Sequence, residues 1–364
     1  MSVCAGSGKN VLLNEIQEIA ESENAITEYI EVSNTEPFLK SIVPALRSVL
    51  LILDNTGRVN GYVKSGLRVL KSFVETIKVR VEGVEISLDI DPQRGTADSG
   101  VLARDLAELF LAVGEAAKCR NVSIVILIDE VQSLPSNEFE ALVMAMHRTN
   151  QKNLPILVIG AGLPSLIKLA GNAGTYAERL FQYPEVGPLS SVDARRALVV
   201  PAQREDVEFE NNAIDDVFSQ TQGYPYFLQE WGYQVWNTAQ GPVITLSDVK
   251  DSSILAAHRL DQNSFRSRYA RTSDTQKNYL HAMAQCENRP YRTGLAEKIL
   301  GKTSQQVSST TEALISSGLI YSPSYGFTDF TVPLFDEFIT RVHGAVNNEQ
   351  IRGGPQRYVR VVHH

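Results

Sequence analysis

Residues 123–130 read Ser-Ile-Val-Ile-Leu-Ile-Asp-Glu. Five consecutive apolar residues, most of them β-branched, are typical of a strand that is buried on both faces of a parallel sheet. The run ends abruptly at Asp129 and Glu130, so two carboxylates are predicted at the carboxyl end of this strand. A helix predicted at about 137–149 and a second apolar run at 155–159 follow. This alternation of strand, helix and strand favours an α/β layered domain with a parallel sheet.

A glycine-rich stretch, Gly6-Ser-Gly-Lys-Asn10, stands directly before an amphipathic helix predicted at 11–24. Glycines let backbone N–H groups turn toward an anion, the start of a helix carries the positive end of its dipole, and a lysine there can reach terminal phosphates. The candidate phosphate-binding residues are Gly6, Ser7, Gly8, Lys9 and Asn10. The pattern G-x-x-x-x-G-K-S/T is incomplete, because Val3 replaces its first glycine and Asn10 replaces the hydroxyl residue that holds Mg²⁺. Taken alone, the stretch is equally compatible with a glycine-rich cap of the helix.

The glycine-rich stretch and the acid pair together are more specific than either motif alone. In nucleotide sites of this type, an acid at the end of a buried strand positions Mg²⁺, and a neighbouring acid polarises the attacking water. We therefore predict that Asp129 and Asn10 hold Mg²⁺, that Lys9 binds the phosphates of ATP, and that Glu130 activates the water. The alternative interpretation is that Asp129 and Glu130 cap the following turn and face the solvent.

The rest of the first half of the chain predicts further helices and one insertion. A strand is predicted at 26–33, and helices at 37–53, 61–76 and 102–118. The alternating stretch at 77–88 predicts a β-hairpin insertion. After about residue 188 no strands are predicted, and residues 191–271 are predicted to form only helices, with breaks at Gly223-Tyr-Pro225 and near Gly241-Pro242. Within these helices Trp231, Tyr233 and Trp236 are interpreted as core residues rather than as a surface for stacking bases.

The last part of the chain predicts three helices followed by a small hairpin. They fall at 273–286, 293–300, 303–317 and 319–331. This order matches a winged helix-turn-helix. Its short polar and basic side chains could reach phosphates and base edges, and the candidate DNA-binding residues are Arg289, Arg292, Lys302, Thr303, Ser304, Gln305, Gln306 and Ser308. The competing interpretation is a module for protein interaction or dimerisation.

Charge is distributed unevenly along the chain, whose net charge is −8 at pH 7. Residues 264–364 contain 12 Lys and Arg against 8 Asp and Glu, whereas residues 1–263 contain 22 against 34. The acidic total argues against a protein that coats nucleic acid with its whole surface. The basic part coincides with the predicted DNA-binding module, although an ordinary solvated surface would also give such an asymmetry.

The composition excludes several classes of protein. With 43% hydrophobic and 21% charged residues it is that of an ordinary globular chain. No apolar run approaches the roughly 18 to 20 residues of a membrane span, and the acidic first helix differs from a signal peptide. The 3 cysteines form no C-x-x-C pair, so no disulfide framework or zinc site is implied. We therefore predict a soluble, cytoplasmic protein.

The chain resembles the AAA+/STAND class of P-loop ATPases, in particular prokaryotic ATPases related to the origin-recognition initiators that carry a C-terminal winged helix. The resemblance rests on GSGKNVLLNEI (6–16), IVILIDEVQSLP (124–135), VIGAGLP (158–164), YAERLF (176–181), GYPYFLQ (223–229) and GLIYSPSYGFTDFTVPLFDEF (318–338). It implies a three-layer α/β P-loop NTPase domain at 1–188, a helical lid at 189–271, a winged helix at 272–343 and a flexible tail at 344–364.

The same resemblance implies roles for residues outside the two motifs. Gly223 and Pro225 match the G-x-P signature of the lid, where a turn approaches the nucleotide, although a simple helix break is nearly as compatible. Arg179 stands where related families place an arginine finger for the γ-phosphate of a neighbouring subunit, which would require a homo-oligomer. An ordinary surface arginine is the simpler interpretation of Arg179.

Two features depart from the pattern of these ATPases. The strand after the acid pair ends in Ile159-Gly-Ala-Gly162, which offers no polar side chain in the place of the usual sensor, so we expect slow hydrolysis. Relatives also carry an apolar strand before the phosphate loop, whereas here the chain starts just ahead of Gly6. We expect the sheet to lack its first strand and to expose unpaired edges and apolar side chains there. A start codon assigned too late or a truncated gene is the simplest explanation, and a strand supplied by a partner is the alternative.

The leading hypothesis is an ATP-binding, Mg²⁺-dependent NTPase whose nucleotide state controls DNA binding or regulation, with double-stranded DNA as the partner. The alternative is a non-hydrolysing DNA-binding regulator, or a protein-interaction module, that keeps only a vestigial nucleotide pocket.

Overall fold

The computed structural model describes residues 2–3, 8–33, 35–54, 61–77, 90–163, 166–172 and 177–342. The chain divides into two compact units, residues 1–187 and 188–364. The hairpin predicted at 77–88 falls outside the described residues except for its first position, and the tail predicted at 344–364 falls outside them entirely.

The first unit contains a parallel sheet and its surrounding helices. Its helices are α1 (Lys9–Ser22), α2 (Leu39–Asp54), α3 (Gly61–Ile77), α4 (Leu102–Arg120), α5 (Ser136–Gln151), α6 (Leu166–Asn172) and α7 (Ala177–Leu180). Its strands are β1 (Ser2–Val3), β2 (Ile26–Glu31), β3 (Ile124–Asp129), β4 (Ile156–Gly160) and β5 (Glu185–Val186). The predicted alternation of strands and helices is confirmed.

Strands β2, β3 and β4 form the main sheet, in that order and all parallel. All six residues of β3 are buried, as its unbroken apolar run predicts. Because the strands are parallel, their carboxyl ends meet at one edge of the sheet, where Glu31 pairs in register with Asp129. This edge is the place where the two predicted motifs must meet if they form one site.

The two faces of β3 pack against different helices. Ile124, Ile126 and Ile128 belong to the large core that α2, α3, α4 and α5 share. On the opposite face, Val125 and Leu127 pack with Leu13 of α1. Alternation of the side chains along one strand therefore builds three layers, and the prediction of an α/β fold with a parallel sheet is confirmed.

The expectation of a missing first strand concerns the edge of the sheet beyond β4, and it stays a prediction. Ser2–Val3 forms the two-residue strand β1, which pairs in parallel with β5. In the part of the chain that the structure describes, β4 pairs only with β3. The Leu157 side chain on β4 is 54% exposed, which agrees with the expected exposure of apolar residues.

The second unit is mainly helical. Its helices are α8 (Ser191–Gln203), α9 (Asn211–Thr221), α10 (Pro225–Thr238), α11 (Leu246–Leu260), α12 (Arg266–Ala270), α13 (Asp274–Ala284), α14 (Thr293–Leu300) and α15 (Ser304–Ser316). Its strands are β6 (Glu208–Phe209), β7 (Val243–Ile244), β8 (Tyr291–Arg292), β9 (Ile320–Tyr321) and β10 (Phe327–Phe330). Across the described ranges, no helix is both long enough and apolar enough to cross a membrane.

The prediction of helices alone between residues 191 and 271 is wrong in one detail. Strands β6 and β7 form a small parallel pair, with Glu208 opposite Val243. Backbone hydrogen bonds from Glu208 to Pro242 and from Glu210 to Ile244 hold this pair together. A strand of two residues is too short to produce a periodic pattern in the sequence, which is why the prediction missed it.

The C-terminal part of the second unit combines three helices with a three-stranded sheet. Helices α13, α14 and α15 accompany an antiparallel sheet of order β8-β10-β9. Its core is aromatic: Phe265, in a π-helical turn after α11, lies 5.3 Å from Phe335 and 5.5 Å from Phe338 between ring centroids. Phe330 of β10 contacts Phe335 in the same cluster.

The interpretation of three aromatic residues on α10 as core residues is wrong for two of them. Trp231 is 2% exposed, and its indole N–H faces the side-chain oxygens of Gln220 and Ser253. Tyr233 and Trp236, however, are 55% and 45% exposed. Residues two and five positions further along a helix turn away from the face that buries the first one, so the three side chains cannot share one environment.

Candidate functional site

Lys9 is the first residue of α1, and its side chain is largely buried. Gly8 precedes it with a φ of 83°, in the left-handed region that favours glycine because glycine has no Cβ. Glycine also carries no side chain that could cap the first N–H groups of the helix, so these groups can bind an anion. The Lys9 residue is only 9% exposed. Gly6 and Ser7 lie outside the described residues.

The ammonium group of Lys9 meets both carboxylates at the end of β3. Its Nζ lies 3.1 Å from Oδ1 of Asp129 and forms an ion pair with Oε1 of Glu130. Asp129 is 1% exposed, and a buried carboxylate is stable only with a partner of this kind. The start of α1 and the carboxyl end of β3, which are far apart in the sequence, thus converge on one polar site.

Both carboxylate oxygens of Asp129 have partners besides Lys9. The Glu130 backbone N–H donates to Oδ1 over 2.8 Å, and the Tyr29 hydroxyl donates to Oδ2 over 3.4 Å. Asp129 therefore does cap the turn after β3, as the alternative interpretation of the acid pair expects. It does not face the solvent, however, because the same oxygen that caps the turn also faces the ammonium of Lys9.

Tyr29 lies on β2, the strand next to β3, and its hydroxyl is a proton donor over an unusually wide pH range. Burial raises the pKa of this hydroxyl to about 12, and the charge of Asp129 and the hydrogen bond to it act in the same direction. The phenol is thus neutral at pH 7 and donates to the Asp129 carboxylate. Sequence reasoning did not identify Tyr29, since nothing in the pattern of β2 placed it beside Asp129.

Glu130 is fixed from two sides. Its φ of 56° lies in the left-handed region, at the start of the short 3-10 turn Val131–Ser133. One carboxylate oxygen pairs with Lys9, and Oε2 accepts a hydrogen bond from Nε2 of Gln132. The side chain of Glu130 is still 33% exposed, so water can reach it.

Gln132 links Glu130 to the segment that follows β4. While its amide nitrogen donates to Glu130, its Oε1 accepts a hydrogen bond of 2.9 Å from the backbone N–H of Leu163. Sequence reasoning did not identify Gln132 either. The available signal was an amide side chain two positions after the acid pair, but its direction could be seen only with the turn in place.

Two other predicted residues of the first unit lie at the surface. Asn10 is the second residue of α1 and is exposed. Arg179 is exposed on α7. Their predicted roles, as a ligand of Mg²⁺ and as an arginine finger, stay predictions.

Gly223 and Pro225 form the turn between α9 and α10 in the second unit. Gly223 has a φ of 71°, and a Cβ at this position would lie 2.3 Å from the carbonyl oxygen of Leu189. The Gly223 carbonyl in turn accepts a hydrogen bond from the Leu189 N–H. Pro225 is the first residue of α10, where its missing N–H costs nothing. Packing alone thus accounts for the glycine and the proline, and their predicted role at the nucleotide stays a prediction.

Several of the candidate DNA-binding residues have partners within the C-terminal module. The Arg289 guanidinium donates to Oδ1 of Asp329 over 2.8 Å. Thr303 and Gln306 form a capping box at the start of α15, and Ser304 donates to Glu297 over 2.7 Å. Arg292, Lys302, Gln305 and Ser308 are exposed, as are Thr303, Ser304 and Gln306. The Arg292 guanidinium lies 5.9 Å from the centroid of the Phe327 ring.

The polar site at the end of β3 fits a divalent cation that is held mainly by phosphates and water. Among the residues with described positions, no group of three or more His, Cys, Asp and Glu could hold a metal ion by itself. Mg²⁺ commonly binds through one or two carboxylates together with substrate phosphates. Asp129, a single carboxylate beside the start of α1, fits this mode of binding rather than an all-protein metal site.

Comparisons with known proteins give partial matches in sequence. Residues 262–339 match the model of a family described as Domain of unknown function (DUF8462). The arabinose import ATP-binding protein AraG of Rhizobium etli is 27% identical over 175 residues, which cover 45% of this chain and 33% of that protein. The match thus spans about a third of the length of this curated relative.

Solved structures resemble a much larger part of the chain. A Walker-type ATPase of Pyrococcus abyssi superimposes with a TM-score of 0.50 and 14% identity over 93% of this chain and 90% of that one. Cdc6p of Pyrobaculum aerophilum superimposes with a TM-score of 0.42 and 14% identity over 96% of this chain and 88% of that one. At this level of identity, the similarity to the Pyrococcus protein shows that the two chains share a fold.

Proposed function

We propose that the chain binds ATP at the start of α1 and hydrolyses it slowly, and that its nucleotide state controls the binding of double-stranded DNA by the C-terminal module. One observation carries the proposal: Nζ of Lys9 lies 3.1 Å from Asp129 and forms an ion pair with Glu130. Phosphoryl transfer from ATP requires a helix start that is free to bind phosphates, a lysine beside it, and acidic side chains at the end of a neighbouring strand. Gly8, Lys9 and the pair Asp129 and Glu130 provide these groups.

The side chains have separate roles in this proposal. The N–H groups of the first turn of α1 and the ammonium of Lys9 bind the phosphates, which carry most of the charge of ATP. Lys9, the Glu130 N–H and the Tyr29 hydroxyl surround the Asp129 carboxylate and hold it in place. Asp129 and Asn10 are the residues that would hold Mg²⁺. When bound, this ion would neutralise charge on the β- and γ-phosphate oxygens.

Glu130 is the general base of the proposed reaction. The oxygen of a water molecule forms a bond to the γ-phosphorus while the bond from that phosphorus to the β–γ bridging oxygen breaks. The Glu130 carboxylate accepts the proton that the water loses, and the products are ADP and inorganic phosphate. The partial exposure of Glu130 allows water to reach its carboxylate. We expect slow turnover, because Asn10 replaces a hydroxyl residue and β4 ends in Gly160 without a polar side chain.

The variant Glu130→Gln tests hydrolysis separately from binding. The amide cannot accept the proton, so phosphate release should fall by roughly 100-fold or more, the usual contribution of a general base. Binding of a fluorescent ATP analogue should persist, because Lys9 and the start of α1 are unchanged. Phosphate release is measured over long incubations with excess ATP, and analogue binding by fluorescence titration. Glu140→Gln, at an exposed glutamate on α5, is the matched control.

Two results would contradict the proposal in different ways. A wild-type protein that binds no ATP analogue would exclude the nucleotide site itself. A wild-type protein that binds ATP but releases no phosphate, and whose affinity for DNA is the same with and without ATP, would favour a non-hydrolysing regulator with a vestigial pocket.

We extend the proposal to DNA through the C-terminal module. Helices α13, α14 and α15 with the sheet β8-β10-β9 support a winged helix-turn-helix at residues 272–343, with residues 189–271 as the lid. In this arrangement α15 is the recognition helix, and its exposed polar residues Gln305 and Ser308 would contact the duplex. Arg292 and Lys302 would contact phosphates.

The internal contacts of the module narrow the set of DNA-binding residues. Arg289 is engaged by Asp329, so we assign its charge to the stability of the module rather than to DNA. Thr303 and Gln306 cap α15 and would act mainly by fixing the start of that helix. For the first unit, we propose that Arg179 serves the γ-phosphate of a neighbouring copy, since its side chain is exposed.

A further inference from the structure

We propose that Gln132 is a positioning residue, which holds the Glu130 carboxylate in place for hydrolysis and replaces the polar side chain that the end of β4 lacks. The inference rests on the proposed function, because it assigns a partner to the general base of that reaction. It concerns a residue that does not touch the phosphates and acts through Glu130.

The two hydrogen bonds of Gln132 fix the direction of its amide group. Its Oε1 accepts from the Leu163 backbone N–H over 2.9 Å, so the other end of the amide must be the nitrogen. This Nε2 donates to Oε2 of Glu130. A flipped amide would place two acceptors against each other at Glu130 and two donors against each other at Leu163. The backbone N–H of Leu163 thus ensures that Glu130 receives a donor.

The segment after β4 is built around this amide. A Cβ at Gly162 would lie 2.6 Å from Oε1 of Gln132, so a larger residue there would displace the amide. The backbone N–H of Val131 donates to the carbonyl oxygen of Ala161 over 3.0 Å. The backbone N–H of Ala161 donates to the carbonyl oxygen of Ile128 over 2.8 Å. These bonds tie the turn that carries Gln132 to the end of β4. The last residue of β4, Gly160, and the two residues after it, Ala161 and Gly162, carry no polar side chain, so the polar group at this place comes from the neighbouring turn.

The need for Gln132 follows from the competition for Lys9. Within the described part of the chain, the Glu130 carboxylate contacts the Lys9 ammonium and the Gln132 amide, and this ammonium would also bind a phosphate. When the Lys9 ammonium binds ATP, its ion pair with Glu130 weakens. The hydrogen bond from the Gln132 amide then keeps the Glu130 carboxylate in place. Because the amide occupies only Oε2, the other oxygen stays available for the proton of the attacking water. A base that is held in place before the reaction needs less reorganisation in the transition state.

Two variants of similar volume separate this role from a structural one. Gln132→Glu keeps an acceptor for the Leu163 N–H but replaces the donor to Glu130 with a like charge. Gln132→Met keeps the length of the side chain and removes both hydrogen bonds. In each variant the rate of phosphate release at saturating ATP should fall by about 10- to 100-fold. Losses of this size are usual when a residue that orients a functional side chain by a hydrogen bond is replaced. For Gln132→Met, the dissociation constant of the ATP analogue should stay near that of the wild type, because the phosphate-binding groups are unchanged and no charge is added.

The control variants are Gln151→Glu and Gln151→Met, at an exposed glutamine on α5, and neither should change the rate. Thermal unfolding of all four variants shows whether they are folded. A double-mutant cycle with Glu130→Gln provides the second readout: if Gln132 acts through Glu130, Gln132→Met should lower the residual rate of Glu130→Gln much less than it lowers the wild-type rate.

The possible outcomes separate this inference from the proposed function. Wild-type hydrolysis with unchanged rates in folded Gln132→Glu and Gln132→Met would overturn the role of Gln132 and leave the ATPase proposal intact. Equal effects of Gln132→Met with and without Glu130→Gln would show a structural role and would also overturn it. A wild-type protein without any phosphate release would overturn the proposed hydrolysis, and the role of Gln132 with it.

Discussion

The ionisation of the Tyr29 hydroxyl should make the free energy of unfolding depend on pH, and the substitution Tyr29→Phe removes this contribution alone. The pKa of its hydroxyl is raised to about 12, first by burial and then by the charge of Asp129. A tyrosine in an unfolded chain has a pKa of about 10, so the folded state holds this proton more tightly. The resulting stabilisation is complete below pH of about 10 and is lost as the pH rises through about 12. Between these values, the free energy of unfolding should therefore fall more steeply with pH in the wild type than in Tyr29→Phe.

The measurement is a series of urea denaturation curves at several pH values from neutrality upward, for both proteins. Other groups that titrate at alkaline pH contribute equally to both and cancel in the difference. Tyr325→Phe, at a fully exposed side chain, is the matched control. Parallel curves for the wild type and Tyr29→Phe would mean that the hydroxyl of Tyr29 does not face the Asp129 carboxylate in solution.

At the scale of single residues, the sequence predicted those side chains of the site whose position follows from a strand end or a helix start. The end of a buried strand predicted Asp129 and Glu130, and the glycine-rich stretch before a helix predicted Lys9. Tyr29 and Gln132 could not be found in this way. The position of Tyr29 depends on the pairing of β2 with β3, and the direction of Gln132 depends on the left-handed backbone of Glu130. Both are consequences of tertiary structure.

At the scale of elements, the packing of α4 against the start of β4 depends on a glycine. A Cβ at Gly114 would lie 2.9 Å from both Cβ and Cδ1 of Leu154 and 3.2 Å from Cδ1 of Ile156. Gly114→Ala should therefore destabilise the protein, because overpacking of a core costs about 1–3 kcal/mol. This cost exceeds the gain of up to about 1 kcal/mol that alanine gives over glycine inside a helix. Scanning calorimetry should show a lower unfolding temperature for the first unit.

Gly294→Ala on α14 is the control for this substitution. Apart from its own helix and chain neighbours, no atom of the described residues lies within 4 Å of a Cβ placed at Gly294, so the main change is in helix propensity. This variant should unfold at the wild-type temperature or slightly above it. An equal or higher stability of Gly114→Ala would mean that α4 and the residues before β4 can move apart at little cost.

Element length explains which parts of the fold the sequence predicted. The buried strand β3 and long helices such as α2 and α4 repeat their pattern over enough residues to be recognised. The pair β6 and β7 consists of two residues each and leaves no such pattern. On α10 the spacing predicted a helix, but it could not say that Tyr233 and Trp236 lie outside the packed face, because that depends on where α11 and α9 sit.

At the scale of the whole molecule, charge separates the proposed functions. Residues 1–263 carry 34 acidic against 22 basic side chains, and residues 264–364 carry 8 against 12. The acidic part of the chain, which contains the proposed ATP site, repels DNA, so affinity for a duplex is expected from the basic residues 264–364. The proposed coupling thus requires residues 264–364 to supply the DNA contacts while the first unit supplies the nucleotide site.

The substitutions Arg292→Ala and Lys302→Ala test this division of roles. Each should weaken the binding of duplex DNA and lower the slope of log affinity against log salt by about 1, since each removes one phosphate contact. Binding is measured by fluorescence anisotropy at several salt concentrations, with and without ATP. Lys118→Ala, at an exposed lysine of the acidic first unit, should leave both quantities unchanged. If neither Arg292→Ala nor Lys302→Ala alters affinity or slope, the result would favour a protein partner for the C-terminal module over DNA.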